Sequence, residues 1–281
     1  CPPEGDAGTG MVATNCCAPR TGNVSAGTSI FAMLVLEKPL GGIYKEVGVM
    51  ATPAGRPVAT VHAATCTTDL DAWVKLLGEA AGLMGASFTK AELYDALYAK
   101  ALEGETDGGG LLHYPCHAGE PVIGLDSGRP LFTRLPDSRM ELANFMRVQL
   151  YAAMAVLKCG MDILTGRENI RLDVLLGHGG LFKTEGVGQR LMASALNVPV
   201  AVRETAAEGG AWGIALLAAY TAQGGPTLEG FLDTVFADSQ CLRAEPDAKD
   251  AEGFAAYMRR YRAGLDIERA AADILCGNGA K

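Results

Sequence analysis

The chain has 281 residues, of which 49% are hydrophobic and 20% charged, and its net charge is −8. That composition is the composition of a globular protein with a sizeable core, in one large domain or two small ones. The acidic balance argues against a nucleic acid or an anionic membrane as partner, since either needs a basic face, but it leaves room for a nucleotide, which needs only a few aimed donors.

In chain order, Gly5-Asp6-Ala7-Gly8 sets one carboxylate among glycines, and residues 1–22 read as a short leading hinge segment. Residues 23–64 read as β structure: a strand, the turn Gly27-Thr28-Ser29, an apolar strand, then two more around Pro53-Ala54-Gly55. A helix is expected over 69–84, on the stripe Leu70, Trp73, Val74, Leu77, Ala81 and Met84, with Thr68 and Asp71 in capping-box positions. Another follows Thr89, over 89–103. From 104 to 137 the chain is rich in Gly and Pro, with short strand candidates at 111–113 and 121–124. Ser138 with Glu141 forms a second capping box, opening a long helix that ends near Leu164.

The second half alternates. "RLDVLLGHGG" is a buried-type strand running into glycines, 185–196 a helix, and "VPVAVR" a strand. Thr205 with Glu208 caps a helix to Ala222, and the tail carries a final amphipathic helix on Phe254, Tyr257, Met258, Tyr261 and Leu265. Antiparallel strands feeding a β-α-β-α half imply an α/β fold: a mixed sheet with helices on both faces, the arrangement of a ribonuclease-H-like, actin-type ATPase domain. No internal repeat or linker interrupts it.

No run of 18 uninterrupted apolar residues is present, and the front has no charged-then-apolar leader pattern. The eight cysteines lack CxxC spacing and read as reduced thiols, so the expected location is the cytoplasm.

Three segments can carry chemistry. At Gly27-Thr28-Ser29 the backbone N–H groups and the Thr28 hydroxyl can meet a phosphate, although a plain hairpin turn is the commoner use of such a tripeptide. In "LLGHGGLFKTEGVGQR", Gly177, Gly179 and Gly180 allow a ring or a phosphate to lie against the main chain; the spacing fits neither a Rossmann fingerprint nor a P-loop, and a tight strand-to-helix turn is the plain alternative. In "EGGAWGIA", small residues make a smooth helix start suited to close packing. His178 stands at the strand end, within the glycine cluster. His113, Cys116 and His117 lie close in sequence without a fourth metal ligand, and Trp73, Tyr257 and Tyr261 sit on core stripes.

Taken together, "GDAGTGM", "GNVSAGTSIF", "LLGHGGLFKTEGVGQRLMASALNVPV" and "ETAAEGGAWGIALLAAY" resemble, in order, four motifs of the C-terminal half of the FGGY family of carbohydrate kinases. The resemblance covers essentially the whole chain. It implies that Asp6, within the 1–22 hinge, is the catalytic base and that residues 23–281 are the ATP-binding domain, with a sugar-binding N-terminal domain lying outside the chain. It further implies that Gly27 and Thr28 contact the β/γ-phosphates, that Gly179, Gly180 and Thr184 meet the adenosine, and that Thr68 occupies a further nucleotide-contacting position. ATP and Mg²⁺ are the cofactors implied, and a pentulose such as xylulose, or a related sugar, is the substrate. Where the family often has Gly-Glu-Arg-Thr/Ser-Pro, this chain has "CHAGEPVIGLDSGRP", which leaves the sugar open. A homodimer is also left open. The alternative from another class is a non-catalytic nucleotide-sensing or assembly module on the same fold; Asp6 discriminates, because a sensor needs no base beside the γ-phosphate. An actin- or chaperone-like ATPase fits the Gly-Asp-Ala opening poorly.

Overall fold

In the computed structural model, which describes residues 3–203, 209–225 and 227–276, the leading segment forms helix α1 (Asp6–Ala13), buried from Gly8 onward. Strand β1 (Thr21–Ala26) follows and turns at Gly27-Thr28-Ser29 into β2 (Ile30–Val35). Along β2, Ile30, Ala32 and Leu34 enter one hydrophobic core while Met33 and Val35 enter another. A period of two sends these sets to opposite faces, so helices must cover both sides of the sheet. An exposed β3 (Gly48–Ala51) and a buried β4 (Pro57–Ala63) complete the antiparallel half.

Helices α2 (Thr67–Leu83) and α3 (Lys90–Ala101) then lead to a two-stranded ribbon, β5 (Leu111–Tyr114) with β6 (Leu131–Arg134), and to the long α4 (Leu142–Asp162). The remainder is β7 (Val174–His178), α5 (Val187–Leu196), β8 (Val200–Arg203), α6 (Gly209–Gln223), α7 (Leu228–Val235), β9 (Cys241–Ala244), α8 (Ala248–Ala263) and α9 (Leu265–Cys276).

Among the described residues, seven strands form one sheet in the order β3-β4-β2-β1-β7-β8-β9. Setting aside the edge strands β3 and β9, β1, β7 and β8 run parallel, and β2 runs antiparallel to both β1 and β4. This is the ribonuclease-H-like, actin-type arrangement, as expected.

One face carries α4, α5 and α8. By length and composition α4 could cross a membrane, yet 72% of its apolar window is buried within the domain, because sheet and helices surround it. Gly160 allows the close approach: a Cβ there would lie 2.3 Å from Val61 Cγ1 on β4. Within this core the fully buried Arg147 donates to Asp250 Oδ1 (2.9 Å), the Tyr151 hydroxyl (2.9 Å) and the carbonyls of Ala101 (3.0 Å) and Leu102 (3.2 Å), tying α4 to α3 and α8. On the opposite face α1 crosses α6 so closely that a Cβ on Gly213 would lie 1.9 Å from Thr9 O. The smooth helix start serves packing, as expected.

Several local expectations need correction. Helix α2 begins at Thr67 with no side-chain cap, because the N–H groups of Cys66 and Thr67 are already bonded to the carbonyls of Thr28 (2.8 Å) and Gly27 (3.1 Å); the Thr68–Asp71 capping box does not form. Helix α4 starts at Leu142 after Glu141, so Ser138 lies one turn outside it. Residues 121–123 form a 3₁₀ turn, and the partner of β5 is β6 instead. Leu265, assigned to the final stripe, opens the separate α9, and the short edge strand β9 carries no alternating signal because Cys241, Leu242 and Arg243 are all exposed. The Thr205–Glu208 cap lies outside the described residues.

Candidate functional site

The first corner is the β1–β2 turn. Gly27 N–H donates to Ser29 O at 2.9 Å, and the carbonyls of Gly27 and Thr28 both face the start of α2. Gly27 O also accepts from Thr67 Oγ1 at 2.9 Å, and Thr28 O from Thr68 Oγ1 at 3.4 Å. In a trans peptide the C=O and the following N–H point in opposite directions, so the Thr28 and Ser29 N–H groups are turned away from α2. Neither N–H donates to another group among the described residues. They are the donors an anion would use.

The second corner is the end of β7. Parallel pairing sets Ser25 beside His178, and the next residue, Gly179, adopts φ +102° with its missing Cβ only 2.4 Å from Ala26 O. A side chain there would meet both strain and backbone. Gly177 gives room to the Phe182 ring, 2.7 Å from where its Cβ would be, which folds Gly180–Phe182 into a 3₁₀ turn. The two corners are therefore in backbone contact.

Beside them lies a cavity of about 460 Å³ whose walls include Thr67, Gly180, Thr184, Lys183 and residues of α2 and α3. The buried Thr184 hydroxyl donates to Asp95 Oδ1 at 2.8 Å, and the Tyr94 hydroxyl to Asp71 Oδ1 at 2.7 Å. Burial, then Asp71, pushes the Tyr94 phenol up, so it stays a neutral donor. Lys90 lies 5.7 Å over the Tyr94 ring and Lys183 joins it on the rim, giving two cations beside two carboxylates. A larger cavity of about 590 Å³, between Pro3, Arg56, Tyr220 and Glu229, contains none of the glycine corners.

The sequence-predicted residues divide. Gly180 and Thr184 line the cavity, Gly27 stands directly behind Thr67, and Gly179 buttresses the turn through Ala26. Thr28 and Thr68 are exposed and share a hydrogen bond outside the cavity lining. Asp6 is the exposed first residue of α1, its Oδ1 accepting only the Ala7 N–H at 2.8 Å among the described residues, and it does not line the cavity. His178 is half-buried, its Nε2 has no partner among the described residues, and burial holds its pKa below the ordinary value. His113 Nε2 and His117 Nε2 turn instead to Asp69, at 2.8 and 3.2 Å, and the Trp73 indole donates to the same carboxylate at 2.8 Å. Burial works to raise the Asp69 carboxyl, but these partners, His113 foremost, hold it below the usual value.

Sequence reasoning missed Thr67, Lys90, Tyr94, Asp95 and Lys183. Lys183 sits inside the quoted glycine motif and could have been noticed there. Asp95 and Lys90 carry no local signal that sets them apart on the helix after Thr89, and only the tertiary fold sets their face against the second corner.

The model of the FGGY family of carbohydrate kinases, C-terminal domain, matches residues 22–222, the span that contains both corners. The chain belongs to the FGGY family of carbohydrate kinases. This FGGY domain is similar in fold to a xylulose kinase from Brucella ovis (19% identity, TM-score 0.74), with 95% of this chain covering 51% of that one. A gluconate kinase from Lactobacillus acidophilus (15%, 0.74) is covered to the same extents. A glycerol kinase from Plasmodium falciparum, solved with ADP (15%, 0.65), matches over 94% of this chain and 50% of that chain. The FGGY domain thus spans about half the length of these relatives. No curated protein sequence matches it.

Proposed function

We propose that this FGGY domain is the ATP-binding half of a cytoplasmic sugar kinase that transfers the γ-phosphate of ATP to a pentulose hydroxyl, xylulose first among the candidates. The observation that carries the reading is the meeting of two glycine corners, one whose N–H groups have no partner among the described residues and one opening onto a cavity, at adjacent ends of parallel strands. Similarity to kinases of xylulose, gluconate and glycerol supports the class of reaction.

In this reading the Thr28 and Ser29 N–H groups and the Thr28 hydroxyl bind the β/γ-phosphates, with Thr68 beside them. Gly179 and Gly180 admit the nucleoside against bare backbone, and Thr184, fixed by Asp95, holds it in place. Asp6 accepts the proton of the sugar hydroxyl as that oxygen bonds to the γ-phosphorus and the bond to the β-bridging oxygen breaks, leaving ADP. An exposed carboxylate with no cationic partner among the described residues suits the role of base, and it also fits Mg²⁺, which takes one or two carboxylates together with phosphate oxygens and water. When bound, Mg²⁺ neutralises charge on the phosphate oxygens.

The sugar-binding domain and the other half of the cleft belong, in this proposal, to a partner region that closes over Asp6 and the 1–22 segment. The domain alone then binds ADP weakly and phosphorylates nothing. The test is an ADP-release assay of the complete enzyme across pentuloses, gluconate and glycerol: turnover with a pentulose supports the reading, and turnover with none of the panel contradicts it.

A further inference from the structure

Behind the Gly27-Thr28 turn lies a second layer with no part in the reaction just described. Glu120 is fully buried, and its carboxylate grips two consecutive backbone groups: Oε2 accepts the Ala64 N–H at 2.9 Å and Oε1 the Thr65 N–H at 2.8 Å. Those residues run directly into Cys66 and Thr67, whose N–H groups hold the carbonyls of Thr28 and Gly27. Glu120 is itself anchored, exchanging backbone hydrogen bonds with Leu125 at 2.8 and 3.1 Å. The same stretch reaches the first turn of α2 a second way, through His113 and His117 on Asp69.

Burying a carboxylate is costly, and a single N–H could be met by a neutral side chain. A carboxylate offers two acceptor oxygens and no donor, the pattern that two adjacent N–H groups require. The cost falls where alignment of the turn matters most. A shift of the Ala64–Thr67 link would rotate the Gly27 and Thr28 carbonyls, and planar peptides would swing the Thr28 and Ser29 N–H groups with them.

We infer that Glu120 is a positioning residue for phosphate binding: through the Ala64–Thr67 link it aims the N–H groups of the Gly27-Thr28-Ser29 turn. This rests on the reading of that turn given above. Glu120 touches no substrate. Its effect falls chiefly on the phosphate-bearing part of the nucleotide, because only Thr67 of the Ala64–Thr67 link lines the cavity at the other corner.

The experiment is calorimetric titration of the 281-residue chain with ADP and, separately, with adenosine. Glu120→Gln puts an NH₂ donor against one of the N–H groups, and should weaken ADP about tenfold while adenosine changes by less than about twofold. Glu120→Asp keeps the charge but retreats by one methylene, and should fall between. The comparison variant Tyr114→Phe removes a buried hydrogen bond to Tyr261 O (2.8 Å), and should lower the unfolding temperature without altering the ratio of ADP to adenosine affinity. Equal losses for the two ligands in Glu120→Gln, or no loss, overturn the inference; should that variant not fold, Glu120→Asp is judged by the same ratio. A wild-type chain binding ADP no more tightly than adenosine refutes the turn as a phosphate site, and the inference with it.

Discussion

Gly179 and Ala26 touch through their backbones: a Cβ on Gly179 would stand 2.4 Å from the Ala26 carbonyl oxygen, at a φ of +102°. This contact locks the end of β7 onto the end of β1. Gly179→Ala would meet a backbone clash and a conformation that L residues rarely adopt, so it should cost about 2 kcal/mol or more of stability. Denaturant unfolding measures this, and the same variant should lose ADP binding. Gly180→Ala, whose Cβ would lie at an ordinary 3.8 Å from Ala26 O, should fold nearly as well as wild type.

Asp6 separates stability from catalysis. Its side chain is exposed and bonds only to the adjacent Ala7 N–H among the described residues, so Asp6→Asn should leave the unfolding midpoint within experimental scatter. With Asp6 as the proposed base, its loss in the complete enzyme should reduce kcat by about 10²–10⁴-fold. A kcat within a few-fold of wild type would remove Asp6 from the mechanism.

The Arg147–Asp250 pair predicts a different pattern. Asp250→Ala leaves a fully buried guanidinium without its carboxylate and should cost about 3–5 kcal/mol. Replacing Arg147 as well by an apolar residue of similar volume removes the orphaned charge but also the donor to the Ala101 and Leu102 carbonyls, so it should recover only part of that loss. A double-mutant cycle in denaturant reads the difference.

Acid unfolding should report on Asp69. Its carboxyl is held below the ordinary 3.8, so it binds protons less readily folded than unfolded. The stability this contributes is present above that value and is lost as pH falls through the folded value. Between pH 4 and pH 2 the wild-type midpoint should fall more steeply than that of Asp69→Asn, and parallel curves would contradict the assignment.

Much of this fold could be read in advance because the residues responsible signal locally. The continuous apolar run of β2, the apolar length of α4, and the small residues that let α6 meet Thr9 each follow from composition or size. The glycine corners were visible for the same reason: a missing Cβ is a property of the residue itself. What stayed hidden was decided by tertiary partners. Thr68 and Asp71 have the spacing of a cap, but the turn at Gly27-Thr28 supplies the acceptors for the start of α2 and displaces it. Arg147 stands on an apolar stripe with nothing nearby in sequence to mark its partner 103 residues away. Asp95 and Glu120 likewise look like surface carboxylates until the fold brings Thr184 and the Ala64-Thr65 N–H groups to them.

The most direct test of the central claim, that the two corners hold one nucleotide, is an amide NMR titration of the isotopically labelled chain with ADP. The account predicts that the Thr28, Ser29 and Gly180 resonances shift together along one binding curve, while residues around Tyr220 and Glu229 stay still. Shifts confined to the cavity at Tyr220 and Glu229, or separate curves for Thr28 and Gly180, would contradict it.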